Sequence, residues 1–235
     1  MRDVSIAPVP QLRREHLQNC RVVSDRLALL DYLPKAGAVA EVGVLAGDFS
    51  AEILARAQPR QLFLLDSFAA DDWSWTNRFK AVDHLAFVSE RFKNEIRDGR
   101  VVVRKGHSWD EIAKLENGSL DWIYIDAGHD YESTHRDLEA SRPKVKDGGF
   151  IVMNDYTLFD FTQGVPYGVI HATNEFCITH GWEMVYFAFQ QHMFNDVVIK
   201  ELGSFSIEGM RARFKRSLRA AVLKGRRFAL RESRS

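Results

Sequence analysis

Cysteine is scarce in this chain, two in 235 residues, and Cys20 and Cys177 stand far apart in no metal or redox spacing. A disulfide-framed fold is therefore excluded, and two buried, reduced thiols in a reducing cytoplasm are expected. Long apolar runs are missing too. No stretch approaches the roughly 18 residues of a membrane span, and Met1–Leu17 mixes charges with prolines, without the apolar centre of a signal peptide. A cytoplasmic protein is expected. Net charge is also absent, 32 Lys/Arg against 32 Asp/Glu, but the balance hides an asymmetry. Met210–Ser235 carries ten Lys/Arg and one acid, Glu232, leaving 22 basic and 31 acidic residues before it. An acidic body argues against nucleic acid as the partner. Repeats and low-complexity tracts are lacking, as is a Gly-x-Gly-x-x-Gly fingerprint.

What is present is an alternation of short apolar runs with helical periodicity. Residues 1–15, with Pro8 and Pro10, read as a loose arm, and Leu17–Leu33 as a helix ending at Pro34 and Gly37. Strands are expected at Ala38–Val44, Gln61–Asp66, Arg100–Lys105, Leu120–Asp126 and Gly148–Asn154. Helices are expected at Phe49–Ala57, His84–Ile96, Trp109–Leu115 and Tyr131–Pro143, the last capped by Asp130. Beyond helix Val169–His180, strands Trp182–Phe189 and Val197–Leu202 have no helix between them and form an antiparallel pair. The expected fold is α/β: a Rossmann-like doubly wound sheet of seven strands, mostly parallel with an antiparallel last pair, and helices on both faces. Residues 1–205 form that domain with an N-terminal helical extension, and residues 206–235 a basic amphipathic helix and tail.

In such a sheet ligands lie at the carboxyl ends of the strands. There the chain places Gly43, Asp66, Gly106-His107-Ser108, Asp126 and Asn154-Asp155, one after each successive strand. Ala38–Ser50 runs from strand to helix through Gly43 and Gly47, a turn that brings bare N–H groups to a ligand. The same turn could instead be plain architecture. Glu41, inside the strand end, needs a partner. Asp66, with Ser67 beside it, can accept a ribose diol or serve as a helix N-cap. Ser108, with His107 and Trp109, can face an adenine or begin a helix.

The Glu-x-Gly-x-x-x-Gly spacing at Glu41 resembles the first motif of class I S-adenosylmethionine-dependent methyltransferases. Asp126-Ala-Gly-His129-Asp-Tyr131 with Asp137, then Lys146-Asp-Gly-Gly-Phe-Ile-Val-Met-Asn154-Asp155-Tyr156, is similar to the macrocin-type sugar O-methyltransferase branch, and more distantly to catechol-type enzymes. The similarity runs from about Val39 to Trp182. It implies S-adenosylmethionine as methyl donor, held by Glu41, Gly43, Gly47, Asp66, Ser67, His107, Ser108 and Asp126. It implies a hydroxyl of a small-molecule or sugar-containing acceptor, with catalysis through Asp126, His129 and Asp155. In related metal-dependent enzymes the corresponding positions hold Mg²⁺, here Asp126, Asn154 and Asp155. The branch has two acids after the fifth strand where this chain has Asn154 first, and His129 or Asp155 is the base if no metal serves. The alternatives are an NAD-dependent oxidoreductase, disfavoured by the glycine spacing, and a non-catalytic S-adenosylmethionine-binding scaffold.

Two insertions could border an acceptor, Ala69–Asn77 with Trp73 and Trp75, and Asp160–Tyr167. Met210, Phe214, Leu218 and Val222 form one stripe of the last helix. It can dock on the body or on a neighbouring subunit of the expected homo-oligomer, or lie on an anionic membrane surface. Deleting Met210–Ser235 decides: docking predicts equal liposome sedimentation of full and shortened chains, whereas a membrane role predicts that deletion abolishes it.

Overall fold

Apolar residues at period two and period 3.6 settle into ten strands and eight helices among the described residues, which are 8–69 and 83–203 of the computed structural model. The first half holds α1 (Arg14–Leu17), β1 (Arg21–Val23), α2 (Arg26–Leu29), β2 (Ala38–Val42), α3 (Asp48–Arg56), β3 (Gln61–Asp66), α4 (His84–Arg91) and α5 (Lys93–Arg97). Then come β4 (Val101–Lys105), α6 (Ser108–Ala113), β5 (Leu120–Ile125), α7 (Tyr131–Ser141) and β6 (Val145–Met153). The remainder is β7 (Phe159–Asp160), β8 (Val165–Pro166), α8 (Val169–His180), β9 (Trp182–Ala188) and β10 (Asp196–Glu201).

Eight strands form one sheet in the order β1-β9-β10-β6-β5-β2-β3-β4. The block β6-β5-β2-β3-β4 is parallel, and β10 runs antiparallel to both β6 and β9. Strand β2 is buried at every position, as a strand covered on both faces must be. Its alternation sorts the core. Ala38, Ala40 and Val42 face one cluster with Ile123, Ile151, Leu138 and Phe176. Val39 faces another with Ile53, Leu62, Trp122 and Tyr124. Glu41 shares the parity of Val39, which turns it toward α3.

The eighth strand departs from expectation. Residues 17–33 do not form one helix: β1 interrupts them and pairs parallel with β9, Arg21 opposite Tyr186 and Val23 opposite Ala188. Val22 and Val23 favour extended backbone, and Asp25 restarts the helix by accepting from the Ala28 N–H at 2.7 Å. The expected helix at 84–96 likewise divides at Phe92. The described part of the arm is tied down, because Asn174 Nδ2 donates to the Pro10 carbonyl at 2.9 Å. The insertion beyond Ala69, with Trp73 and Trp75, and the helix expected at 206–223 lie outside the described residues. None of the described helices is long and apolar enough to cross a membrane.

The carboxyl ends of β2, β3, β4, β5 and β6 lie on one rim, stitched together just beyond the ladders. Gly43 N–H donates to Leu65 O, Gly106 N–H to Asp66 O, Asp126 N–H to Val42 O and Asn154 N–H to Ile125 O, at 2.7–2.9 Å. Gly43 has φ +84°, and a Cβ there would stand 1.8 Å from the Asp126 carbonyl oxygen. The variant Gly43→Ala is therefore expected to lose about 3 kcal/mol or more of unfolding free energy. Urea denaturation checks this, and a midpoint equal to that of the unaltered chain contradicts it.

Candidate active site at the carboxyl rim

The turn after β2 is held from three sides. Asp66 Oδ2 accepts from the N–H groups of Val44 at 2.6 Å and Leu45 at 3.1 Å, and Oδ1 accepts from Phe68 N–H at 2.7 Å. Three of about four acceptor directions on this carboxylate are thus spent on backbone. Ser67 is an exposed neighbour, 3.5 Å from Asp66 Oδ1. Gly47 opens α3 in the left-handed region, φ +76°, with Phe92 packed where a Cβ would be.

Glu41 lies beneath the turn, 1% exposed, and accepts from Ser50 Oγ on α3. Burial pushes its carboxyl up to about 8, against the Ser50 hydrogen bond and with help from the charges of Asp126 and Asp66. At the end of β4, His107 precedes α6 and stacks flat on Trp109, centroids 5.2 Å apart. Ser108 is the first residue of that helix.

Across the rim, His129 Nε2 stands 3.5 Å from Asp126 Oδ1 and 3.5 Å from Asp155 Oδ2. Neither contact is a formed hydrogen bond, and Nε2 is buried without a partner. Burial opposes the imidazolium, but the two acids outweigh it and raise the histidine pKa. Asp155 itself is pushed up to about 7 by burial first and by Asp126 second, while His129 and Arg26 pull it down. Its backbone is left-handed, φ 52°, a conformation costing roughly 1–2 kcal/mol for an L residue. His129 thus faces two carboxylates, of which Asp155 is the one raised by its surroundings.

Behind it lies a buried network that sequence patterns do not reveal. Tyr124 OH donates to Asp196 Oδ2 at 2.8 Å, and Asn154 Nδ2 donates to Asp196 Oδ1 at 3.1 Å and to Tyr124 OH at 3.2 Å. Arg26 adds a guanidinium 3.5 Å from Asp196 Oδ1, lying over the Phe49 ring. Arg26 sits in a segment expected as plain helix and Asp196 in a loop before an edge strand, so only the folded chain unites them. Tyr167 completes the group by stacking on His129, centroids 4.6 Å apart and planes within 9°.

The residues expected to hold Mg²⁺, Asp126, Asn154 and Asp155, gather around His129 on this rim. His129 Nε2 stands 3.5 Å from one oxygen of each acid, and Asn154 turns its amide N–H groups to Tyr124 and Asp196, which leaves Oδ1 as its one acceptor. Among the described residues no group of three or more His, Cys, Asp or Glu side chains is placed to hold a metal ion.

Residues 40–156, from β2 through the turn after β6, match the family model described as a methyltransferase domain. This segment belongs to the methyltransferase domain family. The chain is accordingly a class I S-adenosylmethionine-dependent methyltransferase, and the oxidoreductase alternative falls. No curated protein matches the chain. Among solved structures, a candidate O-methyltransferase from Klebsiella pneumoniae is 18% identical, covers 75% of this chain and 78% of its own, and has a TM-score of 0.51. A precorrin-6y C5,15-methyltransferase from Geobacter metallireducens is 15% identical, with coverage of 74% and 85% and a TM-score of 0.51. A tRNA methyltransferase from B. subtilis is 14% identical, with coverage of 77% and 67% and a TM-score of 0.52. These likenesses show a shared fold across different acceptors.

The raised acids of the methyltransferase carry a pH signature. A carboxyl with a higher pKa folded than unfolded holds its proton longer in the native state, so stability falls as pH rises between the two values. For Glu41 that window runs from about 4.5 to about 8, and raised Asp155 and His129 act in the same direction. Unfolding free energy is expected to decline from pH 5.5 to 8.5, and Glu41→Gln, which keeps an acceptor for Ser50, to shrink the decline. An unchanged slope in the variant contradicts this.

Proposed function

We propose that this methyltransferase transfers a methyl group to a hydroxyl of a small-molecule acceptor, with the His129–Asp155 pair as proton acceptor. The observation that carries the reading is the imidazole Nε2 poised between two carboxylates, on the same rim as the glycine turn. The turn at Gly43 and Gly47, with Glu41 beneath it, would receive the methionine end of S-adenosylmethionine. Asp66 and Ser67 would face the ribose, whose hydroxyl would replace the long 3.5 Å contact between them, and His107 with Ser108 the adenine. Asp126 stands between the cofactor turn and the proton-accepting pair.

A sulfonium carbon is already electrophilic, so the protein mainly has to align oxygen, carbon and sulfur. The acceptor O–H gives its proton to His129 as the oxygen attacks. The C–O bond forms, the C–S bond breaks, and its electron pair returns to sulfur as a neutral thioether. Asp126 and Asp155 stabilise the imidazolium that results. Small-molecule acceptors are favoured over nucleic acid because the described rim is rich in acids, which repel a phosphate backbone.

Removal of the imidazole by His129→Ala is expected to lower kcat by about 10²-fold or more, with S-adenosylhomocysteine affinity unchanged. EDTA is expected to leave turnover of the unaltered enzyme as it was. Turnover that survives the substitution, or that chelation abolishes, overturns the base assignment. Failure to bind S-adenosylhomocysteine overturns the cofactor placement.

A further inference from the structure

An aromatic path leads outward from the proposed base. Tyr167 stacks on His129, Phe194 lies 6.5 Å from Tyr167, and Phe161 stacks on Phe194 at 5.3 Å. The outer end is open: Phe161 is 62% exposed, Met193 66% and Phe159 43%. Exposed rings gathered beside a polar site are expensive to leave in water and mark a binding surface.

The buried acid of this ledge is already used. Asp160, buried in the β7–β8 hairpin, accepts through Oδ1 from Thr162 N–H at 2.7 Å, Thr162 OH at 2.6 Å and Gln163 N–H at 3.1 Å. Its Oδ2 accepts from Tyr167 OH at 3.2 Å. The acid thus fixes the hairpin and holds Tyr167 flat against the imidazole. Both of its oxygens are engaged within the hairpin rather than turned to the hydroxyls of a sugar, so the ledge offers rings and a thioether.

We propose that the Phe161–Phe194–Tyr167 ledge seats the ring of a phenolic acceptor, with its hydroxyl directed at His129. This rests on the methyl-transfer reading above and departs from the sugar-containing acceptors implied by the sequence resemblance. Aromatic faces attract a flat ring by offset stacking and apolar burial. Chemistry agrees: a phenol, with a pKa near 10 as in tyrosine, gives its proton to an imidazole far more readily than an alkyl hydroxyl, whose pKa is close to the 15.7 of water. The step remains balanced as written, with the phenolic proton passing to His129 and the methyl to oxygen.

The test uses the full chain saturated with S-adenosylhomocysteine and the fluorescent phenol 2-naphthol as probe. Saturable naphthol binding is expected, weakened at least tenfold by Phe161→Ala and by Phe194→Ala, with methyl glucoside unable to compete. S-adenosylhomocysteine affinity, measured in each variant, should stay constant, which also reports that the exposed-site variants are folded. Absence of naphthol binding, equal binding in the variants, or displacement by the glucoside overturns the phenol assignment while leaving methyl transfer intact. Loss of S-adenosylhomocysteine binding in the unaltered chain overturns both readings.

Discussion

No side chain fits at Gly43. Its backbone is left-handed and its α-carbon faces the Asp126 carbonyl so closely that a methyl group would overlap it. That single clearance sets how near the turn after β2 comes to the end of β5, and the rest of the rim depends on it. Asp66 fixes the shape of the turn by collecting the N–H groups of Val44 and Leu45, which are therefore not the bare donors expected for a ligand. Helix α3 can start at once because Gly47 is also left-handed, and Ser50 then reaches Glu41 below. Asp126, pinned by its own N–H to Val42 O, is delivered beside His129.

The second organising feature is an excess of acid with few counter-charges. Glu41 and Asp196 are fully buried, and burial pushes Asp196 up to about 6 despite Arg26 and its hydrogen bonds. Gathering carboxylates this way costs desolvation and mutual repulsion, which is why several of them hold protons near neutrality. The arrangement makes sense around a cationic ligand, whose sulfonium would relieve part of the repulsion. Arg26 carries the opposite charge into the same region from α2, so the N-terminal segment is electrically part of the site.

Much of this was legible in the residues alone. The parallel block, its order of strands and helices, and the rim of polar residues came from periodicity and from the rule that doubly wound sheets bind ligands at strand ends. The short β1 was hidden because three residues in a helix-like pattern give no strand signal, and only pairing with β9 makes them one. Network members Arg26, Tyr124 and Asp196 stand up to 170 positions apart in number, and no local pattern joins them. Asn154 read as a weak metal ligand. Its amide turns out to be a donor to buried acid and phenol, a direction that spacing cannot reveal. Phe194 and Phe161 met only through the fold, since a hairpin and a separate loop carry them.

One rim is assigned both the cofactor and the base. A crystal structure with S-adenosylhomocysteine tests it most directly. The thioether sulfur is expected between the Gly43–Gly47 turn and the His129–Asp155 face, with the adenine toward Ser108. Ligand bound in a different cavity, or with its sulfur turned away from His129, would contradict it.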